Sequence, residues 1–214
     1  MKELIIRNEA ANDYAAVENI TREAFWNIYA PGCDLHYLVH IMREHEDFIP
    51  ELDLVVELDG KIVGNVMYTK AKLIDESKRE KKILTFGPIS ILPEYQRMGI
   101  GKRLLEYSFD KAVEMGFDAI VIFGNPGNYV ARGFKSCKKY NVCLEKDVFP
   151  AAMLVKDLKT DTFDGRKWYY HDSPVYIYDE AKAEEFDKLF ETKEKKYQSS
   201  QEEFYIHSNS VIRQ

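Results

Sequence analysis

Apolar positions along the chain switch between two periods, and the switches mark its elements. Residues 4–7 read as a short strand. Asp13 is placed as an N-cap, after which Val17, Ile20, Ala24 and Phe25 return at helical spacing until Pro31-Gly32 stops the helix. Residues 35–46 repeat the pattern, with Leu38, Ile41 and Met42 on one face. Residues 54–58 and 62–69 flank Asp59-Gly60, a strong two-residue hairpin signal. The stretch 75–82 is a charged connector, expected as a solvated turn with frayed strand ends. Residues 83–92 form the next strand, interrupted by Gly87-Pro88, where a proline without an N–H predicts a bulge.

The second half continues with a helix over 100–115, its Leu104, Leu105, Phe109, Ala112 and Val113 facing a sheet and Gly116 ending it. Residues 119–123 are continuously apolar, as a strand buried on both faces should be. That strand–helix–strand order predicts two parallel neighbours. A short helix or turn carrying Tyr129 follows Asn125-Pro126, with further strands near 140–144 and 152–155. Beyond residue 158 the character changes. Residues 179–197 are strongly charged, with Phe186, Leu189 and Phe190 as a narrow stripe that predicts a surface helix docking on the domain or on a partner.

Composition narrows the classes. A chain of 214 residues with 45% apolar content supports one domain, residues 1–158, with an extension over 159–214 packed on it. A net charge of −6 argues against nucleic acid as a partner. Three cysteines, Cys33, Cys137 and Cys143, lack metal-ligand spacing and fit a reducing, cytoplasmic compartment. The start of the chain is too charged for a signal peptide, and no apolar run approaches membrane-spanning length. A homodimer is left open.

The chemistry concentrates at residues 89–105. A strand runs into a Pro-led turn, two glycines one residue apart, then an amphipathic helix. That order gathers free N–H groups and the positive end of a helix dipole at one point, which suits phosphate. Arg97, Lys102 and Arg103 add charge. A P-loop fails, because position 96 is Gln and Arg103 stands where Ser or Thr must follow the Lys. A dinucleotide fingerprint fails because its third glycine is Leu104. Gln96-Arg-Met-Gly-Ile-Gly101 resembles instead the Q/R-x-x-G-x-G/A signature of the GNAT N-acetyltransferases, and Tyr129, four residues before Gly133-Phe134, resembles a later element of that superfamily.

The resemblance covers roughly residues 4–158 and implies an α/β GNAT fold, a mixed, splayed β-sheet flanked by helices. It implies acetyl-CoA as co-substrate and an amine as acceptor. Ile89, Ser90, Ile91, Leu92, Gln96, Arg97, Met98, Gly99, Ile100, Gly101 and Lys102 would bind the cofactor, joined by Asn125, Tyr129 and Arg132. The amide near Ile91 and Leu92 would serve as oxyanion donor and the Tyr129 phenol as general acid. Many members carry a carboxylate on the splayed strand, but residues 84–90 have none. Glu57, acting through water, is a candidate base beside its plainer reading as a solvent-facing strand residue. His36, His40 and His45 are spaced to share a helix face near the acceptor, without a carboxylate or Cys to complete a metal site. Trp26, Tyr29 and Tyr37 are candidates for an aromatic wall or for core packing. Cys137 and Cys143 are expected as core thiols. The competing reading is a non-catalytic acyl-CoA sensor that recruits a partner through Phe186 and Phe190.

Overall fold

Asp59 and Gly60 both take positive φ, 51° and 80°, the backbone a two-residue hairpin loop needs. In this computed structural model, which describes residues 4–213, they join β2 (Leu54–Leu58) to β3 (Lys61–Asp75). The outer side of β2 carries β1 (Leu4–Asn8), antiparallel to it. β3 turns directly into β4 (Glu80–Ile91), with Ile74 opposite Glu80. The expected frayed connector is therefore a tight turn. The Asp75 carboxylate organises it, accepting from the N–H groups of Ser77 and Arg79 at 2.8 and 2.9 Å and holding the Arg79 guanidinium at 2.7 Å.

The register of β3 and β4 shifts where Gly87-Pro88 falls: Val66 lies opposite Ile89 and Tyr68 opposite Phe86, so β4 carries one residue too many. Beyond, β5 (Ala119–Phe123) runs parallel to β4 and pairs with it at one position only, Leu84 with Ile120. The two strands then part. β5 cannot follow β4, because β8 (Met153–Asp157) is paired antiparallel along its whole length. On the far side of β8 lies the short β6 (Lys135–Ser136).

The helix α3 (Ile100–Glu114) packs Leu104, Leu105, Phe109 and Ala112 into the core. Val113 does not join them and is 41% exposed; Ser108 takes the inward position and shares a 2.7 Å hydrogen bond with the buried Tyr68 hydroxyl. Phe123 is 48% exposed because β5 emerges there at the open end of the sheet. On the other face, α1 (Tyr14–Phe25) and α2 (Leu35–Met42) pack together and α2 is shorter than its apolar pattern predicts. Asp13 does not cap α1. Its carboxylate accepts from Ala10 N–H at 2.9 Å and binds Arg7, because the turn before the helix claims it first.

The tail is part of the sheet. β9 (Trp168–His171) pairs antiparallel with β3 from Lys72 to Asp75, beyond the end of β2, and parallel with β7 (Val142–Cys143). Then α5 (Glu180–Asp187) docks on α1 and α2, where Arg22 Nε donates to Asp187 Oδ1 at 2.7 Å and Phe186 and Phe190 pack around His36. Leu189 leaves the expected stripe and is 78% exposed. The last helix, α6 (Ser199–Asn209), is anchored by Gln201, whose side chain donates to the carbonyls of Asn27 and Lys196. No helix of the described residues is long and apolar enough to cross a membrane.

One acidic group is out of its ordinary range inside this fold. Asp53 is buried and its Oδ1 has no hydrogen-bond partner among the described residues. Burial first, then Glu9, pushes its carboxyl well up. Glu9 is itself gripped by Arg43, which also holds Glu18. A carboxyl raised in the folded state stabilises the fold below its unfolded pKa of about 4 and loses that contribution as pH climbs. Urea midpoints should therefore fall between about pH 5 and about pH 9, and Asp53→Asn should flatten the fall. An unchanged slope in the variant would remove Asp53 as its source.

Candidate active site

A cavity of about 910 Å³ opens where β4 and β5 part. One end is built by the turn into α3. Gly99 is the N-cap at φ 82°, and no side chain caps the helix, so the first-turn N–H groups have no partner within it. Arg97, Lys102 and Arg132 line the same end. Gln96 ties the turn to the strand, its Nε2 donating to Ile91 O at 3.0 Å. A Cβ at Gly101 would stand 3.6 Å from the Ile91 side chain, ordinary contact, so glycine there is not required by the fold. It does keep the backbone open to a ligand. Free amides, a helix N-terminus and three cations suit this end to a phosphate group.

The strand wall follows from one hydrogen bond. Leu92 N–H donates to Val63 O at 2.9 Å, so it faces β3 and is not an oxyanion donor, contrary to expectation. Antiparallel alternation then turns Ser90 toward β3 as well, and Ile89 and Ile91 toward the gap. Ile91 is thereby the donor whose N–H meets the cavity, and Ile89 and Ile91 both line it. Ser90 is buried on the α1 side, with its Oγ 3.0 Å from Thr21 Oγ1.

Tyr129 closes the middle of the cavity. It ends α4 (Pro126–Tyr129), whose Asn125 N-cap accepts from Gly127 N–H at 2.9 Å. The ring packs on Phe86 and Phe134 at 5.8 and 5.7 Å. A Cβ on Gly124 would approach it to 2.6 Å, so that glycine makes room for the phenol. Burial pushes the Tyr129 hydroxyl above its ordinary pKa, which keeps it protonated at neutral pH.

Of the other expected cofactor residues, Gln96, Arg97, Gly99, Gly101, Lys102 and Arg132 line the cavity, whereas Ser90, Leu92, Met98, Ile100 and Asn125 do not. Met98 points to solvent, Ile100 is buried in the core, and the Asn125 side chain is spent on its cap. Glu57 is ion-paired with Arg7 on β2 and lies outside the cavity, which removes it as a base. The histidines do not converge. His36 Nε2 lies 3.0 Å from Asp187 Oδ1, out of line for a hydrogen bond, while His40 binds Glu18 and His45 lies near Asp47. Among the described residues no group of three His, Cys, Asp or Glu is placed to hold a metal. All three cysteines are buried, and burial pushes each thiol up to about 11, so none is a ready nucleophile. Of the expected aromatic wall, Tyr29 lines the cavity; Trp26 packs under Arg22, and Tyr37 packs edge-on against Tyr178 and tilted against Phe186.

The far end holds what sequence reasoning missed. Phe25, Thr85, Phe204, Asp172 and Tyr176 line it, three of them from the tail. Tyr176 Oη lies 3.4 Å from both Thr69 Oγ1 and Gly87 O. The one available signal was the alternation of Trp168, Tyr170 and Asp172, a strand pattern ending in an acid.

Residues 21–136 match the family model described as the acetyltransferase (GNAT) family. Over 100 residues the chain is 31% identical to the uncharacterized N-acetyltransferase YjhQ of Escherichia coli (strain K12), a match covering 47% of this chain and 55% of the relative. The chain thus spans about half the length of that relative. The fold superposes on the crystal structure of the GNAT family N-acetyltransferase YhbS from Escherichia coli in complex with CoA, with a TM-score of 0.71 and 21% identity over 82% of this chain and 93% of that one. A GNAT family acetyltransferase from Brucella melitensis, in complex with acetyl-CoA, gives 0.65 and 23% over 82% and 99%.

Gly101→Val tests the cradle. The ordinary contact that a Cβ makes at this position predicts a melting temperature changed little and at least a roughly tenfold loss of coenzyme A affinity by titration calorimetry, about 1.4 kcal/mol. Unaltered affinity would show that no ligand phosphate sits against this turn.

Proposed function

Since the chain belongs to the acetyltransferase (GNAT) family, we propose that it moves the acetyl group of acetyl-CoA to a primary amine of a small molecule or peptide, by direct attack within a ternary complex. The observation that carries this reading is the single cavity joining the α3 cradle, the Ile89–Ile91 edge and the Tyr129 phenol. The cradle takes the pyrophosphate. The edge of β4 pairs with the pantetheine amides as an added strand would. Two solved relatives of the same fold hold CoA and acetyl-CoA, which supports that choice of ligand.

The chain's groups then divide the work. Ile91 N–H donates to the carbonyl oxygen as the amine attacks and charge builds there. A C–N bond forms and the C–S bond breaks. The leaving thiolate takes the Tyr129 proton, and the proton shed by the new amide nitrogen restores the phenol. Phe86 and Phe134 hold the phenol in place without competing for its proton.

Acetyl-CoA-dependent release of free thiol should appear with at least one member of a panel of polyamines, amino acids, aminoglycosides and short peptides. Silence across the panel with acetyl-CoA bound would favour a sensor. Tyr129→Phe should lower kcat by about 10²–10⁴-fold with little change in acetyl-CoA affinity. Lost affinity with unchanged turnover of the bound complex would overturn the acid role.

A further inference from the structure

The far end of the cavity contains a carboxylate that the acetyl-transfer steps above leave unused. Asp172 follows β9 and lines the cavity beside Thr85 and Tyr176. Its Oδ1 accepts from Ser173 N–H at 2.9 Å, and the carboxylate has the Tyr170 phenol, an uncharged group, beside it. The Tyr170 hydroxyl faces it and Thr85, buried and without a well-formed hydrogen bond to either. The other charged group acting on it is Asp47, which accepts from Ser173 Oγ at 2.8 Å and has His45 at 3.8 Å. Among the described residues, none of the groups that shift Asp172 is basic. A carboxylate taken out of water without a cationic partner is costly, and a cation brought by a ligand removes that cost.

We infer that Asp172 binds the acceptor as its ammonium ion and accepts its proton, so that the substrate class is a cationic primary amine with an aromatic or aliphatic body. This rests on the acetyl-transfer reading of the same cavity. Three features set the class. The ammonium meets Asp172 at one end, whereas Arg97, Lys102 and Arg132 repel it from the other. Phe25, Tyr29 and Phe204, packed on one another at 5.5 and 4.7 Å, give the cavity an aromatic wall for the organic body. Among the described residues that line the cavity, none besides Arg97, Lys102 and Arg132 carries a positive charge to hold an acceptor carboxylate. In the reaction, one ammonium proton passes to the Asp172 carboxylate, and the amine, now neutral, moves on to the carbonyl held at Ile91. There its lone pair forms the C–N bond as the C–S bond breaks, and Asp172 later yields the proton to solvent. Burial raises the Asp172 carboxyl above the usual range, closer to the pH at which it must accept a proton.

The test compares wild type with Asp172→Asn, which keeps the oxygen that accepts from Ser173 N–H. The probe is 2-phenylethylamine, with thiol release followed from about pH 6 to about pH 10. The expected result is a fall in kcat/KM of about 100-fold or more at pH 7, with acetyl-CoA affinity unchanged. The deficit should shrink as pH approaches the amine's own pKa of about 10, where the substrate arrives neutral. A second measurement uses wild type alone. The β,β-difluoro analogue of the probe has the same shape and far lower basicity, and at pH 8 its KM should be at least tenfold higher. Equal KM values, or parallel pH profiles in wild type and variant, would overturn the inference and leave acetyl transfer standing. Wild-type protein that binds acetyl-CoA but releases no thiol with any amine would overturn both.

Discussion

A single rung of parallel pairing, Leu84 against Ile120, joins the two halves of the sheet, and the site exists because there is no second one. Each strand of the pair is held elsewhere: β4 by ten paired positions on β3, β5 by five on β8. The bulge at Gly87-Pro88 lies just past the rung and turns the end of β4 away. What remains is a strand edge inside the molecule, with Ile89 and Ile91 facing a gap instead of a neighbour. An edge of this kind at a surface invites aggregation. Here Tyr129 and the tail residues Asp172, Tyr176 and Phe204 line the same cavity, which leaves the edge to a ligand rather than to another sheet.

The parting also sets the polarity of the cavity. At the carboxyl end of β4 the chain enters α3, so the helix dipole, the free amides and Arg97, Lys102 and Arg132 all fall on one side. On the opposite side, β9 ends in Asp172. A thioester whose phosphates are bound at the positive end has its acyl group carried toward the middle, where Ile91 and Tyr129 stand. On the proposed reading, an amine would reach the same point from the acidic end, and the charge pattern would orient both substrates before any specific contact is made.

Much of the phosphate half was legible in the sequence because short-range rules govern it. Asp59-Gly60, the Gly87-Pro88 interruption and the Gly99-Ile-Gly101 turn each act through local backbone constraints, and each appears in the fold as the sequence implied. Side-chain roles were harder, since they depend on parity and on distant partners. Leu92 and Ile91 are neighbours, but one hydrogen bond to Val63 turns their amides to opposite sides. Glu57 looked available until Arg7, fifty residues away, occupied it. The three histidines share a helix-like spacing, yet each meets a different carboxylate, Asp187, Glu18 or Asp47, and none lines the cavity. Asp172 was invisible for the same reason: nothing local says that a strand after residue 167 will pair with Lys72.

That pairing explains why the tail belongs to the site's architecture. β3 has 15 residues and β2 only five, so beyond Val66 the outer edge of β3 is met first by residues 47–49, which bridge to it at Thr69, and is then left for another strand. β9 covers it from Lys72 to Asp75, which fixes where Asp172 emerges relative to Thr85 on β4. The chain then crosses α1 and α2, held by the Arg22–Asp187 pair with Arg22 almost wholly buried, and returns Phe204 to the cavity. A buried ion pair of this type contributes little net stability but penalises any other docking of α5, because a displaced tail leaves Arg22 charged and unpaired. The Asp172 end of the cavity is therefore registered to the sheet through β9 and held through α5, while the turn into α3 is built without either. On the proposed reading, substitutions in the tail would act on the amine before they act on the coenzyme.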